Sequence, residues 1–289
     1  MTGMCRSGKG GTRMTIKPIL VFALVGLTGP AFAQDSSTLN IDGANMVTEI
    51  AAPSHMENVD TIYSGWRFRS TETQELELDD FDNPAFVFID QGTDFWNKVE
   101  GSAGKACASC HTNVEDFAGL RATLPRVEGG KLVSMENLIN DCRTERMGAD
   151  AWKWSSSKMT AVTGLVGLQS RGMPMSVAID GDAAPFWERG KELYYTRVGQ
   201  LDMSCSNCHE DNYGVMIRAD HLSQGQINGF PTYRLKNAKL NSIHARFKGC
   251  MKNIRAQPYK EGSAEFQALE LYLASRAEGL SIETPSVRN

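Results

Sequence analysis

The pattern Cys-x-x-Cys-His occurs twice in this chain, as Cys107-Ala108-Ser109-Cys110-His111 and as Cys205-Ser206-Asn207-Cys208-His209. A Cys-x-x-Cys pair alone fits zinc, a redox dithiol or covalently held haem. The histidine directly after each pair selects haem: the thiols add across the vinyl groups, and the adjacent imidazole becomes an axial iron ligand. Cys107, Cys110, Cys205 and Cys208 are thus expected to hold two covalently bound haem c groups, with His111 and His209 on iron. Repetition of the whole pattern argues against coincidence.

Haem of this type is attached outside the cytoplasm, so an export signal is expected. Ile19 to Leu27 is a short apolar run, preceded by Arg13 and Lys17 and followed by the small-x-small sequence Ala31-Phe32-Ala33. A membrane-spanning helix needs about 20 apolar residues, more than this run offers. The reading is a periplasmic product starting near Gln34, without membrane insertion; Met14 is an alternative start. Cleavage takes four of the 30 basic residues and none of the 34 acidic ones, moving the formal charge from −4 to −8. Nucleic-acid affinity rests on neutralising phosphates, so so acidic a chain is not read as a nucleic-acid binder. Local basic clusters remain free to bind small anions.

Cys5 leaves with the signal, and Cys142 and Cys250 lie outside the motifs. The sequence around them repeats. Asp94-Phe95-Trp96 precedes the first motif and Pro185-Phe186-Trp187 the second, each within an expected helix (Phe95 to Val99, Phe186 to Val198). After each motif come a proline loop (Leu124-Pro125, Phe230-Pro231), a short helix ending at the lone cysteine, and a closing helix (Asp150 to Arg171, Ser263 to Glu278). Met135, Leu138, Ile139 and Cys142 form one apolar stripe, and Ile243, Phe247, Cys250 and Ile254 another, which places each cysteine on a buried helix face. The fold class read from this order is mainly α: two tandem class I cytochrome c-like domains with an N-terminal extension. The expected boundaries are 1–33 for the signal, 34–83 for the extension, 84–181 for the first domain and 182–289 for the second. The extension is polar and acidic, with little apolar periodicity.

The second axial ligand is less determined. Met173, in Gly172-Met173-Pro174-Met175, resembles a methionine-ligand loop but follows the closing helix, where the second repeat has no counterpart; linker packing is the preferred reading. Both repeats share a cysteine at the ligand position. Cys142 and Cys250 are read as axial thiolates, with small buried hydrophobes or a mutual disulfide as alternatives. His221 and His244 are rival ligands for the second haem, and His55 is read as a surface histidine. Thiolate lowers the haem potential where methionine raises it, which suits chemistry at sulfur better than routine electron carriage. Arg246 precedes Cys250 by four residues, one helical turn away, and its planar fork suits an oxyanion. Lys248 and Lys252 are read as a solvated face. The residues four and three before Cys142 are Leu138 and Ile139, so the second haem is the better candidate for catalysis.

These features resemble the SoxA family, the dihaem subunits of the SoxAX cytochromes of thiosulfate-oxidising bacteria. The likeness rests on Ser64-Gly65-Trp66-Arg67-Phe68-Arg69-Ser70, both haem motifs, both lone cysteines and Arg246-Phe247-Lys248-Gly249-Cys250. It implies an L-cysteine S-thiosulfotransferase that joins thiosulfate to a cysteine of the SoxYZ carrier. It further implies a persulfide on Cys250, Arg246 as the anion clamp, and electron exit through the monohaem partner SoxX to a soluble cytochrome c. Competing readings are a plain dihaem electron carrier, a dihaem peroxidase, for which no acid–base constellation is evident, and a zinc protein, which leaves both motif histidines unexplained.

Overall fold

The computed structural model describes residues 38–218 and 220–289; the expected signal peptide lies outside them. Strands β1 (Thr38–Ile41) and β2 (Ala44–Val47) form one antiparallel hairpin, and β3 (Glu49–Ala51) with β4 (Thr61–Tyr63) a second, before the short helix α1 (Thr71–Glu75). The first half then runs α2 (Phe86–Asn97), the first motif, the hairpin β5 (Arg126–Glu128) and β6 (Lys131–Val133), α3 (Met135–Asp141) and α4 (Ser157–Leu168). The second half repeats the order: α5 (Ala184–Tyr195), α6 (Cys205–His209) on the second motif, a small hairpin of β7 (Met216–Ile217) and β8 (Asp220–His221), then β9 (Thr232–Arg234) and β10 (Lys239–Asn241), α7 (Ile243–Asn253) and α8 (Ala264–Arg276). A last strand, β11 (Ser286–Arg288), adds to β9 in parallel, an element with no counterpart in the two-stranded β5–β6 sheet.

Serine caps start the helices that carry or close each site. Ser242 accepts a hydrogen bond from the Ala245 amide at the start of α7, and Ser263 from the Phe266 amide at the start of α8. Ser134 donates its amide to the Asn137 side chain at the start of α3. Each such cap is worth about 1 kcal/mol. α8 was expected over Ser263 to Glu278 and runs Ala264–Arg276, with Ser263 as its N-cap. The first closing helix is shorter than its expected span of Asp150 to Arg171, because Ser156 caps it and the preceding segment is non-helical. α2 starts nine residues before Phe95 and ends at Asn97, since the earlier Phe86 and Ile89 already supply its packing face.

In each half the two long helices cross at a glycine. A Cβ at Gly92 of α2 would stand 2.5 Å from the carbonyl oxygen of Ala161 on α4, and one at Gly190 of α5 would stand 2.1 Å from that of Ala268 on α8. Only a residue without a side chain lets the backbones approach so closely.

The halves do not pack as separate bodies. Trp187, Tyr194, Phe266 and Tyr272 of the second half share one buried cluster with Leu132 and Met175 of the first half and Ile62 of the extension. From residue 38 onward the chain is one compact unit. The extension is thus more deeply integrated than its composition suggests: Leu39, Ile41, Met46 and Trp66 make their own buried cluster, and Glu77 is fully buried against Arg288 at 2.5 Å. Tertiary packing supplies the apolar partners that local periodicity did not reveal. Met175 is buried in the shared core and Met173 lies exposed beside Gly119. His55 departs from its expected surface position: it is half-buried with its ring edge-on to Trp187 at 5.4 Å, and burial lowers its pKa.

Candidate functional site

A Cys-x-x-Cys-His sequence wound into one helical turn brings its first thiol and its histidine to one side, four residues apart. The second motif does this as α6, opened by a capping box in which Ser204 and Asn207 bond reciprocally. The first motif uses a tighter turn over Cys107–Ser109, and the amide of His111 donates to the carbonyl of Cys107 at 3.0 Å.

The two histidines are held differently. His209 donates through Nδ1 to the main-chain oxygen of Ser223 at 2.7 Å, which leaves Nε2 available to ligate a metal. His111 is packed by aromatic rings, Phe117 at 4.9 Å and Trp96 at 6.0 Å. The residue after the second motif, Glu210, is buried and takes an ion pair from the fully buried Arg276 of α8 and a hydrogen bond from Tyr195 at 2.8 Å. That pair pins the end of α6 to the closing helix. A buried arginine in α8 gives no local sequence signal, because its partner lies across the fold.

Each lone cysteine meets the motif of its own half. The Cys142 thiol neighbours Cys107 and Cys110, and the Cys250 thiol neighbours Cys205 and Cys208. Among the described residues all six cysteines are unpaired, so Cys142 and Cys250 form no disulfide. Both are half-buried rather than on the fully buried stripe. His244 is fully buried with Nε2 3.1 Å from Glu270 and its ring stacked on Trp154 at 5.1 Å, and His221 is exposed; neither joins the Cys250 group.

The environments of the two thiols diverge. Burial and the neighbouring Cys110 push Cys142 up, against a weaker pull from Arg146. Burial also raises Cys250, but Arg246, the His209 imidazole and Arg234 outweigh it and bring the thiol down to about 7. A depressed thiol is the reactive one. Lys252 is exposed, as a solvated face requires, whereas Lys248 is half-buried and paired with Glu261 at 2.8 Å. Arg234 escaped the sequence reading, since it lies 16 residues before Cys250 on a strand. The repeat held a signal for it: three residues after each loop proline stand Glu128 in the first half and Arg234 in the second.

The donor set fits a covalently held haem in each half: paired thiols on one turn, a following imidazole and a lone thiol alongside. At the second motif the imidazole is fixed by an outer hydrogen bond and reaches the Cys250 sulfur.

The SoxA/TsdA cytochrome c domain profile matches residues 91–175 and 189–282. The chain is 55% identical over 271 residues to the L-cysteine S-thiosulfotransferase subunit SoxA of Paracoccus pantotrophus, covering 91% of this chain and 93% of that one. The SoxA subunit of Rhodovulum sulfidophilum is 54% identical over 248 residues, with coverages of 84% and 86%. The crystal structure of SoxXA from P. pantotrophus superposes with a TM-score of 0.85 at 56% identity, covering 87% of this chain and 97% of that one. Two cytochrome c segments, each with its haem motif, and close identity across nearly the whole length place the chain in SoxA, the family of haem-bearing L-cysteine S-thiosulfotransferase subunits.

Proposed function

We propose that the chain is the dihaem subunit that oxidatively conjugates thiosulfate to a cysteine on a SoxYZ-type carrier, paired with a SoxX-type monohaem subunit. The carrier thiol loses its proton, a bond forms between its sulfur and the outer sulfur of thiosulfate, and two electrons leave toward a soluble cytochrome c. The observation that carries this reading is the convergence of Arg246 and the second haem motif on Cys250, against a Cys142 that has Leu138 at the matching position.

Cys107, Cys110, His111 and Cys142 hold the first haem in this reading, and Cys205, Cys208, His209 and Cys250 the second. Bound haem supplies a one-electron acceptor beside the reacting sulfurs. The rest is done by side chains. Arg246 offsets the charge of the thiosulfate dianion and orients it toward Cys250, the sulfur-handling residue and site of the persulfide. Ser223 holds the His209 ring in one tautomer. We read the chain as two class I cytochrome c-like domains, 84–181 and 182–289, exported to the periplasm after cleavage near Ala33. No helix among the described residues is long and apolar enough to cross a membrane.

Replacing Cys250 with Ala tests the assignment. Conjugation of thiosulfate to the carrier should vanish while both haems stay attached through their thioethers. Wild-type turnover in that variant would sink the proposal and restore the plain electron carrier.

A further inference from the structure

One carboxylate holds the end of the second motif from three directions. Glu210 directly follows His209, and its amide donates to the Ser206 carbonyl at 2.8 Å in the last turn of α6. Its Oε1 accepts from the Tyr195 hydroxyl of α5 at 2.8 Å and pairs with Arg276 of α8. Its Oε2 accepts from the side-chain amide of Asn58, in the extension, at 3.3 Å. Both members of the ion pair are buried, and the Arg276 guanidinium lies over the Tyr194 ring at 4.5 Å.

The first half has other residues at each matching position. Gly92 precedes Cys107 by the same 15 residues as Gly190 precedes Cys205, so Glu210 matches Thr112 and Tyr195 matches Asn97. The crossings at Ala161 and Ala268 likewise match Arg276 to Gln169. Thr112 is exposed, and the other two side chains turn back on their own helices: Asn97 donates to the Thr93 carbonyl and Gln169 to that of Leu165, each at 2.9 Å. A buried ion pair adds little net stability, because desolvation offsets its Coulomb energy. What a fully hydrogen-bonded one supplies is a fixed direction.

That direction matters where the helix is one turn long. α6 cannot hold its own shape, since so short a helix is unstable by itself. The capping box of Ser204 and Asn207 fixes its start, and Glu210 fixes its end. The Ser223 carbonyl sets the rotation of the His209 ring, whereas Glu210 sets the main chain that carries the ring.

We propose that Glu210 is a positioning residue of the second site: it holds the main chain of His209 so that the imidazole keeps one place relative to Cys250 while chemistry proceeds at that sulfur. Tyr195, Asn58 and Arg276 act through it. The inference rests on the assignment of His209 and Cys250 to the second haem.

The test uses oxidised holoprotein with its partner subunit, haem content checked by absorbance. Paramagnetic resonance follows the two ferric haems, and steady-state conjugation gives kcat and KM for thiosulfate. In Glu210→Gln the low-spin signal of the second haem should shift or split, with that of the first retained. kcat should fall about 10- to 100-fold, the usual cost of losing a contact that orients a metal ligand, with KM within about twofold. Glu210→Asp keeps the charge and should recover part of kcat. Tyr195→Phe removes one donor and no charge; it should shift the same signal less, and it serves as the test if the Gln variant fails to load haem. Thr112→Ala, the matching place in the first half, should leave both signals unchanged. A wild-type second-haem signal in both Glu210→Gln and Tyr195→Phe would overturn the inference, as would equal changes at both haems, which report a loosened fold. Cys250→Ala separates the inference from the ligand assignment. If it leaves the second-haem signal unchanged while Glu210→Gln shifts it, Cys250 is no ligand and the positioning of His209 stands. If it shifts the signal and the Glu210 and Tyr195 variants do not, only the ligand assignment stands.

Discussion

The Nδ1 of His209 donates to the main-chain oxygen of Ser223 at 2.7 Å, and the two residues belong to segments on either side of the small β7–β8 hairpin. The loop that follows the motif therefore returns to lock the motif's own imidazole. Gly225 completes the cradle: its φ is +80°, and a Cβ there would stand 3.1 Å from the His209 Cγ and 3.3 Å from its Nδ1.

Gly225→Ala should strain the loop by about 1–2 kcal/mol, the cost of a left-handed conformation with a side chain, and push the His209 ring off its bond to Ser223. The ferric low-spin resonance of the second haem should shift or split, with that of the first retained. Identical paramagnetic resonance spectra for wild type and variant would show that the ring is not held by this contact.

Arg246→Ala and Lys248→Ala remove the same formal charge from one helix, yet among the described residues only Lys248 of the two has a carboxylate, Glu261, at 2.8 Å. Removing Arg246 should raise KM for thiosulfate at least about tenfold. Removing Lys248 should change it less than about twofold, since its charge is already offset by Glu261. Equal effects in the two variants would mean that α7 acts through its overall charge rather than through a placed guanidinium.

Cys142→Ala separates the two halves. Arg143, next to Cys142, is already engaged by Glu100 at 2.9 Å and by the Trp152 ring at 3.8 Å, and the exposed Arg146 pulls on this thiol too weakly to offset its burial. The variant should keep its first haem through Cys107 and Cys110, change that haem's spectrum, and retain most of its conjugation rate. Loss of turnover as complete as in Cys250→Ala would require a chemical role for the first site.

Stability should fall as pH rises through neutrality. Burial, helped by the charge of Glu283, pushes Glu77 up to about 8 despite the pull of Arg288. The native state then holds a proton that the unfolded chain releases near 4.5. Its contribution is complete below 4.5 and is lost as pH climbs through 8. Thermal midpoints followed by far-ultraviolet circular dichroism should decline from pH 5 to 9, by about 2–4 °C per kcal/mol lost. Glu77→Gln should flatten that slope; an unaltered slope would exclude Glu77 as its source.

Much of the site was legible in the chain because its chemistry is local. A five-residue motif supplies both thioethers and one iron ligand, and the period of a helix carries Arg246 to within one turn of Cys250. The repeat, and with it the matching of Cys142 to Cys250, follows from the same short-range spacing. Three features obey no such period: the deep burial of the extension, the Glu210–Arg276 pair, and Arg234, set beside Cys250 by a strand from the far end of the chain. Motif spacing and helical facing are decided within a few residues, so sequence alone determined that each half carries a Cys-x-x-Cys-His turn and which lone cysteine lies beside it. Which cations are neutralised depends on charges brought together across the fold, and only the tertiary structure decided that Arg276 meets Glu210 and that Arg288 meets Glu77 and Glu283.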